Sequence, residues 1–176
     1  MLTKEQIQEN RIAYLELIAK LGFDMAPFVA YLDGYDFFTA PYTAVQYRAY
    51  AGGLCQTALE FYRALAYVNK EFYNDFYKEE DLIKVALFRD LYRAELFEYN
   101  AAKNCYQTAT ERRSFGDIYT SSYIIGQEFT TFTQEQAMAI LYGQANSMTK
   151  DLGKIRIDFP LVSLMTITEL LVFLRQ

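Results

Sequence analysis

Four carboxylates, Asp90, Glu169, Asp117 and Glu60, are the side chains of this sequence best suited to hold a hard cation. Oxygen-only ligands fit Mg²⁺ or Mn²⁺, so together they would form a carboxylate metal site. The competing reading places each on a solvated helix face. Other familiar chemistry is harder to build, because the 176 residues include no histidine. Without imidazole, neither a Ser/His/Asp nor a Cys/His nucleophile is available in its usual form. A zinc site would need clustered cysteines. Cys55 and Cys105 lie far apart without paired spacing, and they read as buried or idle thiols. Gly52-Gly53 alone is too short to be a phosphate-binding loop.

Composition narrows the classes further. The net charge of -5 disfavours free nucleic acid as a main partner, since phosphate binding needs a basic surface; a local basic pocket is still compatible with it. No apolar run approaches the ~18 residues of a membrane span, and the polar start Met1-Leu2-Thr3-Lys4-Glu5 is unlike a signal peptide. The expectation is a soluble, cytoplasmic protein with no membrane partner. Sixteen Tyr and 14 Phe, with no Trp, give two readings. Either they line the core with hydroxyls outward, or they form an aromatic binding surface.

The elements that must position these groups read as helices. Thr3-Lys4-Glu5-Gln6 is a capping box, followed by Ile7, Ile12, Leu15 and Ala19, with a stop at Leu21-Gly22. A short helix is expected around Pro27-Leu32 and a loop from Tyr35 to Tyr42. Leu54, Ala58, Phe61, Leu65 and Val68 predict a helix from about Leu54 to Phe72, and Gly52-Gly53 before it permits close backbone approach. Further helices are predicted over Asp81–Leu91, Tyr123–Phe129, from the capping box Thr133-Gln134-Glu135-Gln136 to about Tyr142, and over Leu161–Leu174. The stretches Ala101–Tyr119 and Gly143–Asp158 read as loops, with short strand pairings near Lys154–Ile157 left open. With no internal repeat and no Ser/Gly linker, the chain is expected to be one compact all-α domain, 1–176. Its last helix is either a central core helix or an oligomer contact.

Three ordered motifs resemble the HD-domain phosphohydrolases. They are Asp36-Phe37-Phe38-Thr39-Ala40-Pro41, Tyr50-Ala51-Gly52-Gly53-Leu54 and Lys84-Val85-Ala86-Leu87-Phe88-Arg89-Asp90-Leu91. The similarity is greatest to small phage and bacterial members and runs over 31–176, with the N-terminal helix in 1–22 covered less well. The resemblance implies an all-helical fold of HD-domain type and phosphate-ester hydrolysis with a divalent metal. It also implies where that metal's ligands would fall. Thr57 stands where the family has a histidine three residues after Gly-Gly-Leu. The His-Asp doublet falls at Arg89-Asp90. Tyr47, Phe115 (within Ser114-Phe115-Gly116-Asp117) and Gly143 stand at further histidine positions, Glu169 matches a late aspartate, and Arg93 matches a following lysine. Thr57 and Phe115 replace imidazole poorly. A guanidinium at position 89 puts a fixed positive charge where a dication would sit, which costs several kcal/mol at ~4 Å by scaling the unit-charge interaction. An ion pair of Arg89 or Arg93 with Asp90 or Glu169 is the simpler expectation.

Three functions follow. The leading expectation is a catalytically inactive HD-like protein with no cofactor and no bound metal. It would be phage-encoded and engage a host or viral protein, with a homo-oligomer as a further option. Tyr47, Tyr50, Tyr62, Tyr92 and Tyr142 would then fill or line the old pocket. The second expectation is a nucleotide-binding protein that sequesters or senses its ligand, with Arg89 and Arg93 holding a phosphate by charge-assisted hydrogen bonds and Tyr stacking on the base. The third is a surviving phosphohydrolase built on Asp90, Glu169 and Asp117.

Overall fold

The computed structural model describes residues 1–45, 47–113, 115–147 and 149–173. Its helices are α1 (Lys4–Ala19), α2 (Met25–Gly34), α3 (Gly53–Tyr73), α4 (Glu79–Phe88), α5 (Ile118–Gly126), α6 (Gln134–Tyr142), α7 (Leu152–Asp158) and α8 (Pro160–Phe173). A short 3-10 helix, Leu91–Leu96, follows α4. It leads into a hairpin of β1 (Phe97–Asn100) and β2 (Cys105–Thr108), antiparallel with Tyr99 opposite Tyr106.

The longest helix, α3, is the axis of the molecule. Its buried residues Leu54, Ala58, Phe61, Leu65 and Val68 recur every three or four positions, and α1, α4 and α8 pack around it. The second layer is α5 and α6, with α6 bridging α4 and α8. Buried apolar residues of all these helices except α7 belong to one cluster, in which Phe28 stacks on Phe88 with ring centres 5.2 Å apart. Tyr14 is fully buried, and its hydroxyl donates to the Leu87 carbonyl at 2.9 Å. A buried phenol with a satisfied hydroxyl costs little, so this one fastens α1 to the end of α4.

Local chemistry sets the helix starts. Thr3 and Thr133 each accept from the third helical amide of α1 and α6, and Gln6 and Gln136 return the bond. Asp24 and Asp117 cap α2 and α5. Pro27 sits in the first turn of α2, where a missing N–H costs nothing. At Gly53 an added Cβ would lie 2.4 Å from the Arg48 carbonyl oxygen. The strand of loop around Tyr42 and Arg48 therefore lies directly against the start of α3, as Gly52-Gly53 predicts.

Several expectations are corrected. The chain is mostly helical rather than all-α, because part of the predicted Ala101–Tyr119 loop is β2, paired to β1. α5 begins at Ile118, not Tyr123, since Asp117 accepts from the amides of Tyr119 and Thr120. The helix predicted to reach Leu91 ends at Phe88 and tightens into the 3-10 turn. The stretch near Lys154–Ile157 is helix α7, not loop or strand. The predicted end of the last helix, Leu174, and Ser114 of the loop motif lie outside the described residues. No described helix is long and apolar enough to cross a membrane.

Candidate functional site

The end of α4 carries Arg89 and Asp90 into the interior, the 3-10 turn adds Arg93, and α8 brings Glu169 from the other side. Their side chains are 1%, 4%, 13% and 14% exposed, so two cations and two anions share one buried site. Asp90 is divided between both arginines. Its Oδ1 accepts from Arg93 Nε at 2.7 Å, and its Oδ2 lies 3.2 Å from Arg89 Nε. Glu169 is divided as well. Its Oε1 accepts from Arg89 Nη2 at 3.2 Å, and its Oε2 accepts from the backbone amide of Ala145 at 2.5 Å. Asp90 thus joins the two arginines, and Glu169 joins Arg89 to the loop after α6.

Rings complete the enclosure. The Arg89 guanidinium lies 4.2 Å from the Phe61 ring centre, and that of Arg93 lies 4.1 Å from the Tyr42 centre. Tyr119 faces Arg89 Nη2 through its hydroxyl at 3.4 Å. Burial works to discharge Arg89, but Asp90 first, then the oxygens of Tyr119, Tyr42 and Glu169, outweigh it and hold its pKa above the ordinary arginine value. The same contest, again led by Asp90, raises Arg93. Both are therefore fixed cations.

A cavity of about 630 Å³ opens over this network, walled by Tyr42, Tyr47, Arg93, Tyr119, Glu169 and Phe173. Tyr42 stacks on Phe173 at 5.8 Å, and Tyr47 meets both edge-on. A second cavity of about 630 Å³, lined by Tyr92, Tyr142, Arg112 and Gln144, shares Tyr119 and Asn146 with the first. The loop after α6 forms the partition, since Ala145 and Asn146 line one side and Gln144, Asn146 and Ser147 the other.

Of the positions singled out in the sequence, Tyr47, Arg89, Asp90, Arg93 and Glu169 come together here. Thr57 is fully buried next to the site on α3, one turn before Phe61. Its hydroxyl donates to the Gly53 carbonyl at 2.6 Å and accepts from Arg48 at 3.4 Å. Arg48 also pairs with Glu60, which accepts from Gln56 as well. Phe115 is 43% exposed and lines neither cavity. Gly143 ends α6 against α8, where an added Cβ would meet the Ala139 carbonyl at 2.3 Å and Met165 Cβ at 2.6 Å. Asp117 is spent on the α5 cap. Burial acts to raise its pKa, but the bonds from Thr120 and Tyr119 prevail and lower it.

The pocket tyrosines are only partly as expected. Tyr47 lines the first cavity, and Tyr92 and Tyr142 line the second. Tyr50 bonds Gln56 and lines neither of these two; Tyr62 bonds Glu79 on the outer side of α3. Tyr42, Tyr119, Phe173 and Arg48 were not anticipated. Arg48 has φ 51, the left-handed region that a lone arginine gives no sequence sign of adopting.

The residues present do not fit a divalent metal. Asp90 and Glu169 already have all four oxygens facing cationic or N–H donors, and a dication between them would meet two guanidiniums. Among the described residues, no three His, Cys, Asp or Glu side chains group closely enough to hold a metal. No family model, curated protein or solved structure matches the chain.

Proposed function

We propose that this chain is a catalytically inactive, HD-like binding protein. The observation that carries the reading is the Arg93–Asp90–Arg89–Glu169 network, which stands where the resemblance would put a metal. Fixed cations at these positions neutralise the carboxylates that a dication would need. The resemblance to phage members supports a virus-encoded factor that engages a host or viral protein in the cytoplasm. The test is metal analysis of protein purified with Mg²⁺ and Mn²⁺ present, together with a generic phosphatase assay. The expected result is no stoichiometric metal and no turnover. Bound metal that disappears in Asp90→Ala, with turnover lost alongside it, would revive the carboxylate phosphohydrolase and overturn this reading.

A second reading, phosphate or nucleotide binding without hydrolysis, is favoured by Arg93 and three tyrosines lining one cavity. A thermal-shift panel of nucleotides tests it, and absence of stabilisation across the panel sinks it.

A further inference from the structure

Glu169 does two jobs with one carboxylate. Its Oε1 neutralises Arg89 and its Oε2 holds the Ala145 amide. Among the described residues lining the first cavity it is the only acid, and its side chain, at 14% exposed, is more accessible than that of Arg89, at 1%. Behind it the polar shell is incompletely satisfied. Arg89 Nη1, Tyr47 Oη and Gln144 Oε1 are buried with no hydrogen-bond partner among the described residues, and Arg89 Nε is near Asp90 without hydrogen-bond alignment. An unmet buried polar group is unfavourable. Arg89 Nη1 belongs to the Arg89–Glu169 pair, Gln144 precedes the Ala145 that Glu169 tethers, and Tyr47 lines the same cavity as Glu169, so donors and acceptors stand ready around this one carboxylate.

We propose that Glu169 is an exchangeable internal anion, and that an external oxyanion takes its place on Arg89, beside Arg93, and thereby frees the segment Gln144–Ser147 after α6. This rests on the site being a binding site rather than a metal site. Charge balance selects exchange over simple addition. Two arginines face two carboxylates, so an added anion leaves the buried cluster with excess negative charge, whereas a one-for-one swap with a monoanion preserves neutrality and with a dianion leaves less excess than addition would. The donors that would receive the anion already line or adjoin the cavity: Arg93, Tyr119, Asn146 and the Arg89 edge that Glu169 now covers. Once Glu169 turns to solvent, Ala145 loses its tether. The partition between the two cavities is then held by fewer bonds, so occupancy of the first cavity controls access to the second.

The experiment uses the full chain with inorganic phosphate as probe and potassium chloride at matched ionic strength as control. Hydrogen exchange is read by mass spectrometry on the peptide containing Gln144–Ser147, and phosphate affinity by calorimetry. In the wild type, phosphate should speed exchange at Ala145 while leaving α3 protected, and chloride should not. Glu169→Gln removes the competing charge, so phosphate should bind about tenfold tighter or more; Ala145 should also exchange faster before any phosphate is added. Arg93→Gln should weaken phosphate binding. Unchanged wild-type exchange at saturating phosphate, or no calorimetric binding, overturns the proposal. So does a folded Glu169→Gln protein that binds phosphate no more tightly than the wild type. If Glu169→Gln does not fold, the wild-type exchange and the Arg93→Gln titration decide. Metal analysis reads the preceding proposal independently of all these outcomes.

Discussion

Asp90 holds one arginine on each oxygen, so its removal strips a carboxylate from two buried cations at once, leaving Arg89 with Glu169 alone. Breaking a buried pair from one side costs about 3–5 kcal/mol. Asp90→Ala is therefore expected to lower the melting temperature by on the order of 10 °C. A loss under about 1 kcal/mol in a denaturant titration would mean that this carboxylate does not carry the network. The two thiols make a second contrast at this scale. Burial pushes the Cys55 thiol up to about 12, whereas Cys105 is exposed on β2. Near pH 8 only an accessible thiol supplies reactive thiolate. Maleimide should add once to the native protein, at Cys105, and a second native adduct would contradict the packing around Cys55. An ion pair of Arg89 or Arg93 with Asp90 or Glu169 was expected from the resemblance, which put Arg89-Asp90 at the metal doublet; which carboxylate meets which arginine was not legible, because Glu169 arrives from a distant helix. The role of Arg48 was not legible, because its approach to Thr57 depends on a left-handed backbone turn that residue type does not announce.

Elements differ in how much of their origin the sequence displays. α3 was readable because its apolar spacing from Leu54 to Val68 spans about four turns and every one of the five predicted positions is buried. α1 and α6 were readable from reciprocal caps. Thr133→Ala should cost about 1 kcal/mol, measured as a shift of the denaturation midpoint without change of slope, and a neutral result would show that the cap bond adds nothing to α6. That helix also places Glu135, which accepts from Tyr77 at 2.7 Å and from the Leu161 amide at the start of α8 at 3.1 Å. The missed elements are the ones that bury least. β1 and β2 have four residues each, only partly buried or exposed, so no core face imposes a clear alternation. α7 has seven residues, none buried, and includes Gly153. It packs beside α8, the helix that follows after Phe159, and a helix this short draws its stability from such packing rather than from local propensity.

The whole molecule couples surface charge to helix placement, and acid should expose this. Lys20 and Tyr62 together lower the Glu79 pKa, Arg11 lowers that of Asp33, and the α5 cap lowers that of Asp117. A carboxylate depressed in the folded state stabilises it fully above the unfolded pKa, and the contribution is lost as pH falls through the folded value. Stability should therefore be flat from neutral pH down to about 5 and decline below about 4. A midpoint that holds constant down to about pH 3 would refute this coupling. At this scale the largely helical character was legible and the site's enclosure was not, since Tyr42, Tyr119 and Phe173 come from three distant segments and meet only after folding. Gly143 shows how tightly such a junction can bind residue choice. Its backbone is ordinary, with φ -76, so conformational freedom is not the reason for glycine. The obstacle is space, and one of the two blocking atoms is the main-chain oxygen of Ala139, which no side-chain truncation removes. A library randomised at position 143 and screened for folded protein should converge on glycine, and shortening Met165 in the same library should not widen the outcome.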